Sequence, residues 1–538
     1  MAETATMDQY RQRKLAAPRN LAFVLCLCLL QFGCTQLGPD FESPEAPIAK
    51  EWTETTQDNI KSDSADFSDW WTSFNDPALD LLIEKAYQQN LPLQVAGIRI
   101  LEARARLGIA VGNQYPQQQR IRGGVEANEL SENQANFDSA LDDTYSEGNF
   151  GFDIGWELDM WGRFARGIQA ADADLMSTIA DYDDVLVSLT ANVATAYSLL
   201  RTFEKRLAIA RNNVDTQQSS LEITEVRFRN GVTSELDVQQ ARTLLLNTQA
   251  TVPVLETGYR QSMNALSTLL GLPPGDLRDM IGGDGDIPSP PSAVAIGIPA
   301  ELLRRRPDIR RAELRAAGQS ARIGIAQSSL YPHFSLSGTI GLRSGNTGDS
   351  SLSDLGESDS IEVFGGPSFS WDIFNYGRNR NNVRVQDARF QQLIILYQNT
   401  VLEAQREVEN ALVGFVRAQQ QVVFLRDSVK AAERSVELAL VQYRDGVADF
   451  QRVLDTQQSL LAQQDLLSTT RGDIASNLIG LYRGLGGGWQ IRADNDFVPE
   501  SVKEEMSERS DWGDLLEVEA MDKVTDTEDS DRSYDVDW

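Results

Sequence analysis

The sequence predicts an α+β protein made of two tandem repeats, each combining very long helices with a β-hairpin. Three pairs of similar motifs, separated by nearly the same distance along the chain, support this prediction. They are Tyr115-Pro116 with Tyr331-Pro332, WELDMWGR (156–163) with WDIFNYGR (371–378), and RFRNGV (227–232) with QYRDGV (442–447). A long unit that occurs twice in one chain indicates an extended wall, because structural repeats stack on one another.

These landmarks divide the chain into six segments. They are a signal peptide (1–33), an N-terminal segment (34–75), repeat 1 (76–271), an inter-repeat linker (272–297), repeat 2 (298–489) and an acidic tail (490–538). The linker is rich in Pro and Gly, which interrupt helices and strands. The tail is rich in Asp, Glu and Ser and lacks apolar periodicity, so we expect it to be disordered, with a docking segment as the alternative.

Charge and composition argue against several classes of function. The 538 residues carry a formal net charge of −30, which argues against a nucleic-acid partner. There is one histidine, His333, and the three cysteines are all near the N-terminus. The body of the chain therefore lacks the groups for a thiolate or HExxH metal site and for the usual serine or cysteine triads. We expect no catalytic residue, no metal and no cofactor, hence a protein that is not an enzyme.

The N-terminus has the pattern of a secretory signal peptide. Four basic residues between positions 11 and 19 precede an apolar run at 21–32, which ends at Gly33-Cys34. The run is shorter than the about 20 apolar residues that span a bilayer. Cys34 also resembles the lipidated cysteine of a bacterial lipoprotein, although Gln31 stands where that motif has an aliphatic residue. The alternatives are a lipidated Cys34 and a cysteine inside an ordinary signal peptide; after lipidation, Thr35 would favour the outer membrane.

Strict alternation predicts two strands in each repeat, because successive side chains of a strand point to opposite faces. In the clearest case Phe150, Phe152 and Ile154 alternate with glycine and aspartate. In the last strand the apolar positions include Trp371 and Ile373. The predicted strands are 119–128 and 146–160 in repeat 1, and 333–343 and 362–374 in repeat 2.

Alternation of this kind fits two environments. Apolar side chains facing outwards and polar ones facing inwards are typical of a transmembrane β-barrel, whereas a soluble sandwich turns its apolar face to a core. Four strands cannot close a barrel, and lipid does not tolerate open strand edges. A membrane location therefore requires several chains to share one barrel.

Long segments rich in Ala, Leu, Gln, Glu and Arg separate the strands and predict helices. The predicted helices are 78–112, 163–230, 233–270, 300–327, 379–445 and 449–484. Gly231 and Gly446 predict tight turns between two helices. A hairpin arm of about 60 residues would place each turn about 90 Å from the strands, at 1.5 Å per residue.

Three further motifs lie in one collinear order between LGPDF (37–41) and the end of repeat 2. They are IPAELLRRRPDI (298–309), ARIGIA (321–326) and LYRGLGGGW (481–489). With these motifs the chain resembles the outer-membrane factors, the TolC-like efflux ducts of Gram-negative bacteria, and among them the NodT-type efflux lipoproteins.

The resemblance implies a homotrimer. Each chain would give four strands to a shared 12-stranded transmembrane β-barrel that continues into a periplasmic helical α-barrel, and residues 34–75 would join a belt on its outer surface. Such a protein is a passive exit duct in the outer membrane, in contact with lipid. A periplasmic adaptor protein and an inner-membrane pump of the resistance-nodulation-division class would be its partners, and small molecules its cargo.

The resemblance also implies a closed periplasmic tip narrowed by acidic residues. Asp237 and Asp455 match the family's tip aspartates, six and nine residues after the glycines Gly231 and Gly446. Tyr443 matches a residue that helps to hold the closed state. Two positions depart from the family pattern, since Arg452 stands where a member has a second aspartate and Ala448 where it has an arginine.

Other functions stay open at this level. The same architecture serves as the exit duct of type I protein-secretion systems, although the lipoprotein-like Cys34 and the ending LGGGW favour efflux. A periplasmic coiled-coil scaffold without a channel would be soluble and would leave the four alternating strands unexplained. Nothing in the side-chain chemistry supports a secreted hydrolase.

Overall fold

The structure is a computed structural model that describes residues 36–53, 60–61, 66–131, 133, 135, 144–291, 294–346, 350–493 and 495–516. The predicted signal peptide and Cys34 lie outside these residues.

Nine α-helices lie in the described part of the chain. They are α1 (Pro77–Gln89), α2 (Leu91–Gly112), α3 (Arg163–Arg229), α4 (Glu235–Leu269), α5 (Leu302–Arg305), α6 (Pro307–Ser328), α7 (Arg378–Arg444), α8 (Phe450–Gly484) and α9 (Glu500–Arg509). In repeat 1, α3 and α4 form a long helical hairpin, and α7 and α8 form the corresponding hairpin of repeat 2.

Two predicted helices are interrupted in the structure. The helix predicted over 78–112 is divided at Asn90, whose side-chain oxygen accepts a hydrogen bond from the Leu93 N–H at 3.0 Å and thereby caps α2. The helix predicted over 300–327 is divided at Arg306, which has an extended backbone conformation. Pro307 explains this break, because a proline disfavours the helical conformation in the residue before it.

The three longest helices of each repeat match in length and position. Both α3 and α7 have 67 residues, α4 and α8 have 35 each, and α2 and α6 have 22 each. A glycine precedes each of the two longest helices, Gly162 with φ 72° and Gly377 with φ 81°. This left-handed conformation favours glycine, so the helix starts are repeated as well.

The described strands form one large and one small sheet. They are β1 (Ile60–Lys61), β2 (Gln118–Glu129), β3 (Thr144–Leu158), β4 (Val294–Ala295), β5 (His333–Gly345) and β6 (Ile361–Ser370). The order of the large sheet is β2-β3-β5-β6, and all its pairs are antiparallel. The two-residue strands β1 and β4 pair in parallel and join the N-terminal segment to the linker.

One strand is shorter than predicted. The sequence predicts a strand over 362–374, but β6 ends at Ser370, opposite the first residue of β5, His333. Trp371 and Ile373 lie beyond the strand because, within the described chain, no residue of β5 extends far enough to pair with them.

The main core lies where the hairpins meet the N-terminal segment. Trp70 stacks on Tyr482 of α8 with ring centroids 5.2 Å apart, and Leu200 of α3 and Phe415 of α7 are fully buried in the same cluster. A second, smaller cluster surrounds Tyr443 at the opposite ends of the long helices. Packing at both ends of each hairpin therefore fixes the helices relative to one another.

The prediction of a disordered tail from residue 490 is wrong for the part of the tail that the structure describes. Arg492 forms two hydrogen bonds with the buried carboxylate of Asp183 on α3, at 2.5 and 3.2 Å. Phe497 packs edge-on against Tyr182, and Met506 of α9 is buried. The apolar residues are too few to give a periodic pattern, yet Phe497 and Met506 belong to the main core cluster. Residues 517–538 lie outside the described chain.

Candidate functional site

The first candidate site is the helical tip, defined here as the two turns at 230–234 and 445–449 with the helix ends beside them. Gly231 and Gly446 form these turns with φ 73° and 75°. In each turn the residue after the glycine donates its N–H to a carbonyl five residues back, Val232 to Arg227 and Val447 to Gln442, both at 2.9 Å. This is the glycine-dependent end of a helix that the sequence motifs predict at these positions.

Tyr443 lies in the apolar cluster of the tip. Its side chain is 3% exposed, and its ring lies edge-on to Phe450 with centroids 5.4 Å apart. The guanidinium of Arg227 lies above the same ring, 4.7 Å from its centroid. Tyr443 therefore holds the first turn of α8 and the last turn of α3 together.

Arg227 is a tip residue that the sequence analysis missed. Its Nη1 donates to the carbonyls of Tyr443 and Arg444 at 2.8 and 3.0 Å, so a cation of repeat 1 caps the C-terminal end of α7 in repeat 2. A positive charge at this end of a helix is stabilising. The sequence did contain a signal that could have identified Arg227. It is the first residue of the RFRNGV motif, and its counterpart in the QYRDGV motif is a glutamine.

The two predicted tip aspartates have different surroundings. Asp237 is half-buried in a capping box, in which it bonds to the Thr233 hydroxyl and accepts the Ser234 N–H at 3.3 Å. Asp455 is exposed and accepts a hydrogen bond from Gln451 Nε2 at 2.8 Å. Asp237 therefore stabilises the start of α4, whereas the charge of Asp455 faces solvent in the single chain.

Arg452 is also exposed, one turn before Asp455 on α8. Its backbone N–H donates to the carboxylate of Asp449 at 3.4 Å, so Asp449 caps the start of α8. On the same helix turn, Gln451 Oε1 accepts a hydrogen bond from Gln240 of α4 at 3.1 Å. The tip thus links the two hairpins through Arg227 on one side and Gln240 on the other.

Farther from the tip, polar side chains connect the two hairpins. Arg206 of α3 forms two hydrogen bonds with Asp465 of α8, at 2.7 and 3.0 Å. Nearer the tip Gln457 donates to Ser220 Oγ at 2.8 Å, and Gln457 is buried. Hydrogen bonds of this kind orient one hairpin on the other, because a buried polar group without its partner is costly.

The second candidate site is the large sheet, whose two faces differ sharply. Across its four strands the register aligns Ile121, Phe152, Ile340 and Val363 in one row. All four side chains are exposed in the single chain, with Ile121 at 71% and Val363 at 72%. An exposed, continuous apolar face is uncommon on soluble proteins and marks a surface that contacts lipid or another protein.

The opposite face of the sheet is polar. Asp153 of β3 forms an ion pair with Arg122 of β2 at 3.1 Å and accepts a hydrogen bond from Thr339 of β5 at 2.6 Å. Arg343 of β5 pairs with Glu147 of β3 at 2.5 Å. A wall with one apolar and one polar face is suited to separate lipid from water.

Two further findings apply to the described residues. Among their helices, none combines the length and the hydropathy needed to cross a membrane. No group of three or more His, Cys, Asp or Glu side chains among them is arranged to hold a metal ion.

A comparison with protein families shows to which family the chain belongs. Residues 82–272 and 298–487 match the model of the family described as outer membrane efflux protein. The chain belongs to this family. The two matched segments correspond closely to the two repeats and end just before the C-terminal segment that packs on α3.

The chain covers nearly the whole length of known relatives from this efflux family. Nodulation protein T of Rhizobium leguminosarum bv. trifolii is 28% identical over 86% of this chain and 96% of its own. The pyoverdine export outer membrane protein OpmQ of Pseudomonas putida is 30% identical over 86% of this chain and 97% of its own. The outer-membrane channel OprN superimposes with a TM-score of 0.78 at 32% identity, covering 84% of this chain and 99% of that channel.

The predicted function and location are thereby confirmed. The chain is an outer-membrane exit duct of an efflux system, and its helical hairpins form the periplasmic extension of that duct. The amphipathic sheet is the part suited to the membrane, and the helical tip is the end farthest from it.

Proposed function

We propose that three copies of the chain form the complete duct, with a shared barrel of 12 strands. The sheet of one chain has four strands, and its edge strands β2 and β6 pair on one side only within the described chain. Unpaired backbone groups are not tolerated in lipid, so the edges need strands from other copies. Three four-stranded sheets give an even number of strands, as bacterial barrels have.

The helices also support assembly. Exposed apolar side chains lie along α7, among them Val385, Ile395, Leu396 and Phe424, and along α4, among them Leu246 and Val254. Exposed groups of this kind on a helical wall indicate contact with a further helix. In the trimer these faces close the helical part into a tube continuous with the barrel.

The duct is passive and depends on partners in the periplasm and inner membrane. We propose an adaptor protein that docks on the helical tip and a pump of the resistance-nodulation-division class that supplies the energy. A related protein that exports pyoverdine supports small molecules as the cargo. Lipidation of Cys34 would add an anchor in the outer membrane, and it stays a prediction.

The tip is proposed as the closed end of the duct, with Asp455 in a ring of three carboxylates. Like charges about 4 Å apart repel by about 1 kcal/mol per pair in water, and more in a narrow pore. We expect Asp455→Ala to increase the leak of large antibiotics through the duct and to lower its preference for cations. Asp427→Ala is the matched control, because Asp427 is an exposed carboxylate of α7 that pairs with Lys430 at 3.6 Å. Equal conductance and drug sensitivity of both variants would contradict a role of Asp455 at the constriction.

The experiment for the duct as a whole is planar-bilayer conductance of the detergent-purified protein, with its oligomeric mass measured on the same sample. A trimer with a small, cation-selective conductance supports the proposal. A monomer that stays in solution without detergent and conducts no ions would overturn it in favour of a periplasmic scaffold.

A further inference from the structure

A constant step along the chain relates the two β-hairpins residue by residue. This step, called the repeat offset here, is the one that moves the WELDMWGR motif (156–163) onto the WDIFNYGR motif (371–378). It also moves the start of β2 onto the start of β5. The observed pair Ile121 with Phe152 becomes Leu336 with Pro367, which is observed as well. The two β-hairpins therefore have the same register.

The segments that flank the strands follow the same rule. The indole N–H of Trp156 donates to the Gln114 carbonyl at 3.2 Å, and that of Trp371 donates to the Leu330 carbonyl at 3.0 Å. For residues that precede the strands, the step from repeat 1 to repeat 2 is one position longer than the repeat offset. The reason is that repeat 1 has one extra residue, Gln117, between Pro116 and its strand. Contacts made by one repeat can thus be transferred to the other.

Within one chain, repeat 1 contacts repeat 2 through a defined set of residues. Strand β3 pairs with β5, so that Asp153 lies opposite Thr339. Trp161, just after β3, packs on Tyr331 with ring centroids 4.8 Å apart and donates to the Pro332 carbonyl at 2.8 Å. This surface of repeat 1 is covered by the start of repeat 2.

The corresponding surface of repeat 2 is open. Strand β6, the counterpart of β3, is an edge of the sheet, and so is β2, the counterpart of β5. Tyr376, the counterpart of Trp161, is fully exposed and has φ 50°, a conformation that few residues other than glycine adopt. Tyr376 thus occupies the position in repeat 2 that Trp161 occupies in repeat 1, but within the described chain its ring is not covered as Trp161 is by Tyr331 and Pro332.

We propose that β6 pairs with β2 of a neighbouring copy in the register that β3 and β5 have within one chain. By the repeat offset, Asp153 of β3 corresponds to Ser368 of β6, and Thr339 of β5 corresponds to Gly124 of β2. The observed pair Asp153 with Thr339 therefore places Ser368 opposite Gly124 of the neighbouring copy. The transfer of Trp161 and its cover places Tyr376 on the neighbour's Tyr115-Pro116. This inference rests on the proposed trimer and adds the residues that meet at its interface.

The helices support the same transfer. Within one chain Asp181 of α3 forms an ion pair with Arg311 of α6 at 2.5 Å. Asp181 follows the strands of its repeat, so the repeat offset gives Leu396 of α7 as its counterpart. Arg311 precedes the strands of its repeat, so the step that is longer by one position gives Val95 of α2. Both are exposed in the single chain, at 56% and 49%. An ion pair inside the chain thus corresponds to an apolar pair between copies, which would bury both side chains on assembly.

Cysteine cross-linking tests the register directly. We would combine Ser368→Cys with Gly124→Cys in the full-length protein, where a side chain at Gly124 meets only the Asn149 side chain, at 3.9 Å. Within one chain the two positions lie on the two edge strands, in different rows of the sheet. Three strand spacings alone separate them by about 14 Å at 4.8 Å per strand, so a disulfide between them joins two copies. The control combines Ser368→Cys with Glu126→Cys, which is on the same face but displaced by two residues. Diagonal pairs of this kind lie about 7–8 Å apart, too far for a disulfide.

The expected result is a ladder of covalent dimers and trimers for the first pair on oxidation, and several-fold less for the control pair and for each single cysteine. Equal or stronger cross-linking of the Ser368 and Glu126 pair, in a sample whose mass shows a trimer, would overturn the register and leave the trimer standing. A monomeric mass with no cross-link in either pair would overturn the proposed assembly itself.

Discussion

The two repeats share three long helices and two strands, but they differ in how much of these elements is buried. Helix α3 of repeat 1 has 27 buried residues out of 67, whereas α7 of repeat 2 has 15 out of 67. The difference is greatest near the sheet, since positions 378–396 of α7 include no buried residue and positions 163–181 of α3 include seven. This unequal burial in corresponding helices supports the proposal that repeat 1 is completed within the chain and repeat 2 by another copy.

The largest effect is expected from a charge introduced at an exposed apolar position of repeat 2, which tests whether another copy covers this repeat. We expect Leu396→Asp to abolish the trimer, because a carboxylate without a partner at the buried interface costs several kcal/mol. The measurement is the oligomeric mass in detergent, together with bilayer conductance. Leu396→Met is the matched control, since a swap that conserves volume usually costs less than about 1.5 kcal/mol. A stable, conducting trimer of the aspartate variant would place Leu396 outside the interface.

A second comparison concerns the segments that cover the two longest helices. Asp183 of α3 is bound by Arg492 of the C-terminal segment, and its counterpart on α7, Gln398, donates to the Glu45 carbonyl at 3.1 Å in an exposed contact. We expect Arg492→Ala to destabilise the fold by about 3 kcal/mol, because it leaves a buried charge without its partner. Gln398→Ala should cost about 1 kcal/mol or less. Thermal unfolding of both variants measures the difference in stability. Equal losses of stability would show that the C-terminal segment stabilises the fold no more than the N-terminal segment does.

The Arg492 variant should also respond to pH. Burial raises the pKa of the Asp183 carboxyl, and the hydrogen bonds from Arg492 oppose this shift. Without Arg492 the pKa in the folded protein lies farther above the unfolded value of about 3.9. A raised pKa stabilises the folded state at low pH, and this stabilisation is lost as pH rises through the folded value. The deficit of the variant should therefore be larger at pH 8 than at pH 5. A deficit independent of pH would show that the Asp183 carboxyl is already ionised in the folded variant at pH 5, which would contradict the further rise of its pKa.

The smallest expected effect concerns the tip, where Arg227 of repeat 1 has Gln442 as its counterpart. We expect Arg227→Ala to destabilise the end of α7 locally by about 1–2 kcal/mol, through the loss of two charge-assisted hydrogen bonds and the contact with the Tyr443 ring. Faster hydrogen exchange of the amides at 440–447 would show this. Arg229→Ala is the control, because the exposed Arg229 bonds to Glu225 within its own helix. Equal exchange in both variants would contradict the link between the hairpins.

Much of the fold could be predicted from the sequence because its signals are local and repeated. The glycines at 231 and 446 indicated the helix turns, and alternation indicated the strands of the large sheet to within a few residues. Duplication strengthened both, since each motif had a second copy to compare with. The efflux duct followed from the motifs shared with a known family.

The remaining features depend on contacts between distant segments. Arg227 could not be assigned from its own helix, because its acceptors are carbonyls 216 and 217 residues away. The ordered part of the C-terminal segment has an acidic, polar composition, and its few apolar residues matter only through their fit on repeat 1. Asp237 matched a tip residue by spacing, but spacing does not show that its carboxylate already serves the capping box.

The most direct test of the central claim is hydroxyl-radical footprinting of Tyr376 with the native sequence. Oxidation of Tyr376 would be compared between the assembled protein, its mass verified as a trimer, and the dissociated chain. We expect several-fold slower oxidation in the trimer, because the neighbouring Tyr115-Pro116 would cover the ring as Tyr331-Pro332 covers Trp161. Equal oxidation of Tyr376 in the trimer and in the dissociated chain would contradict the claim that the second repeat is completed by the next copy.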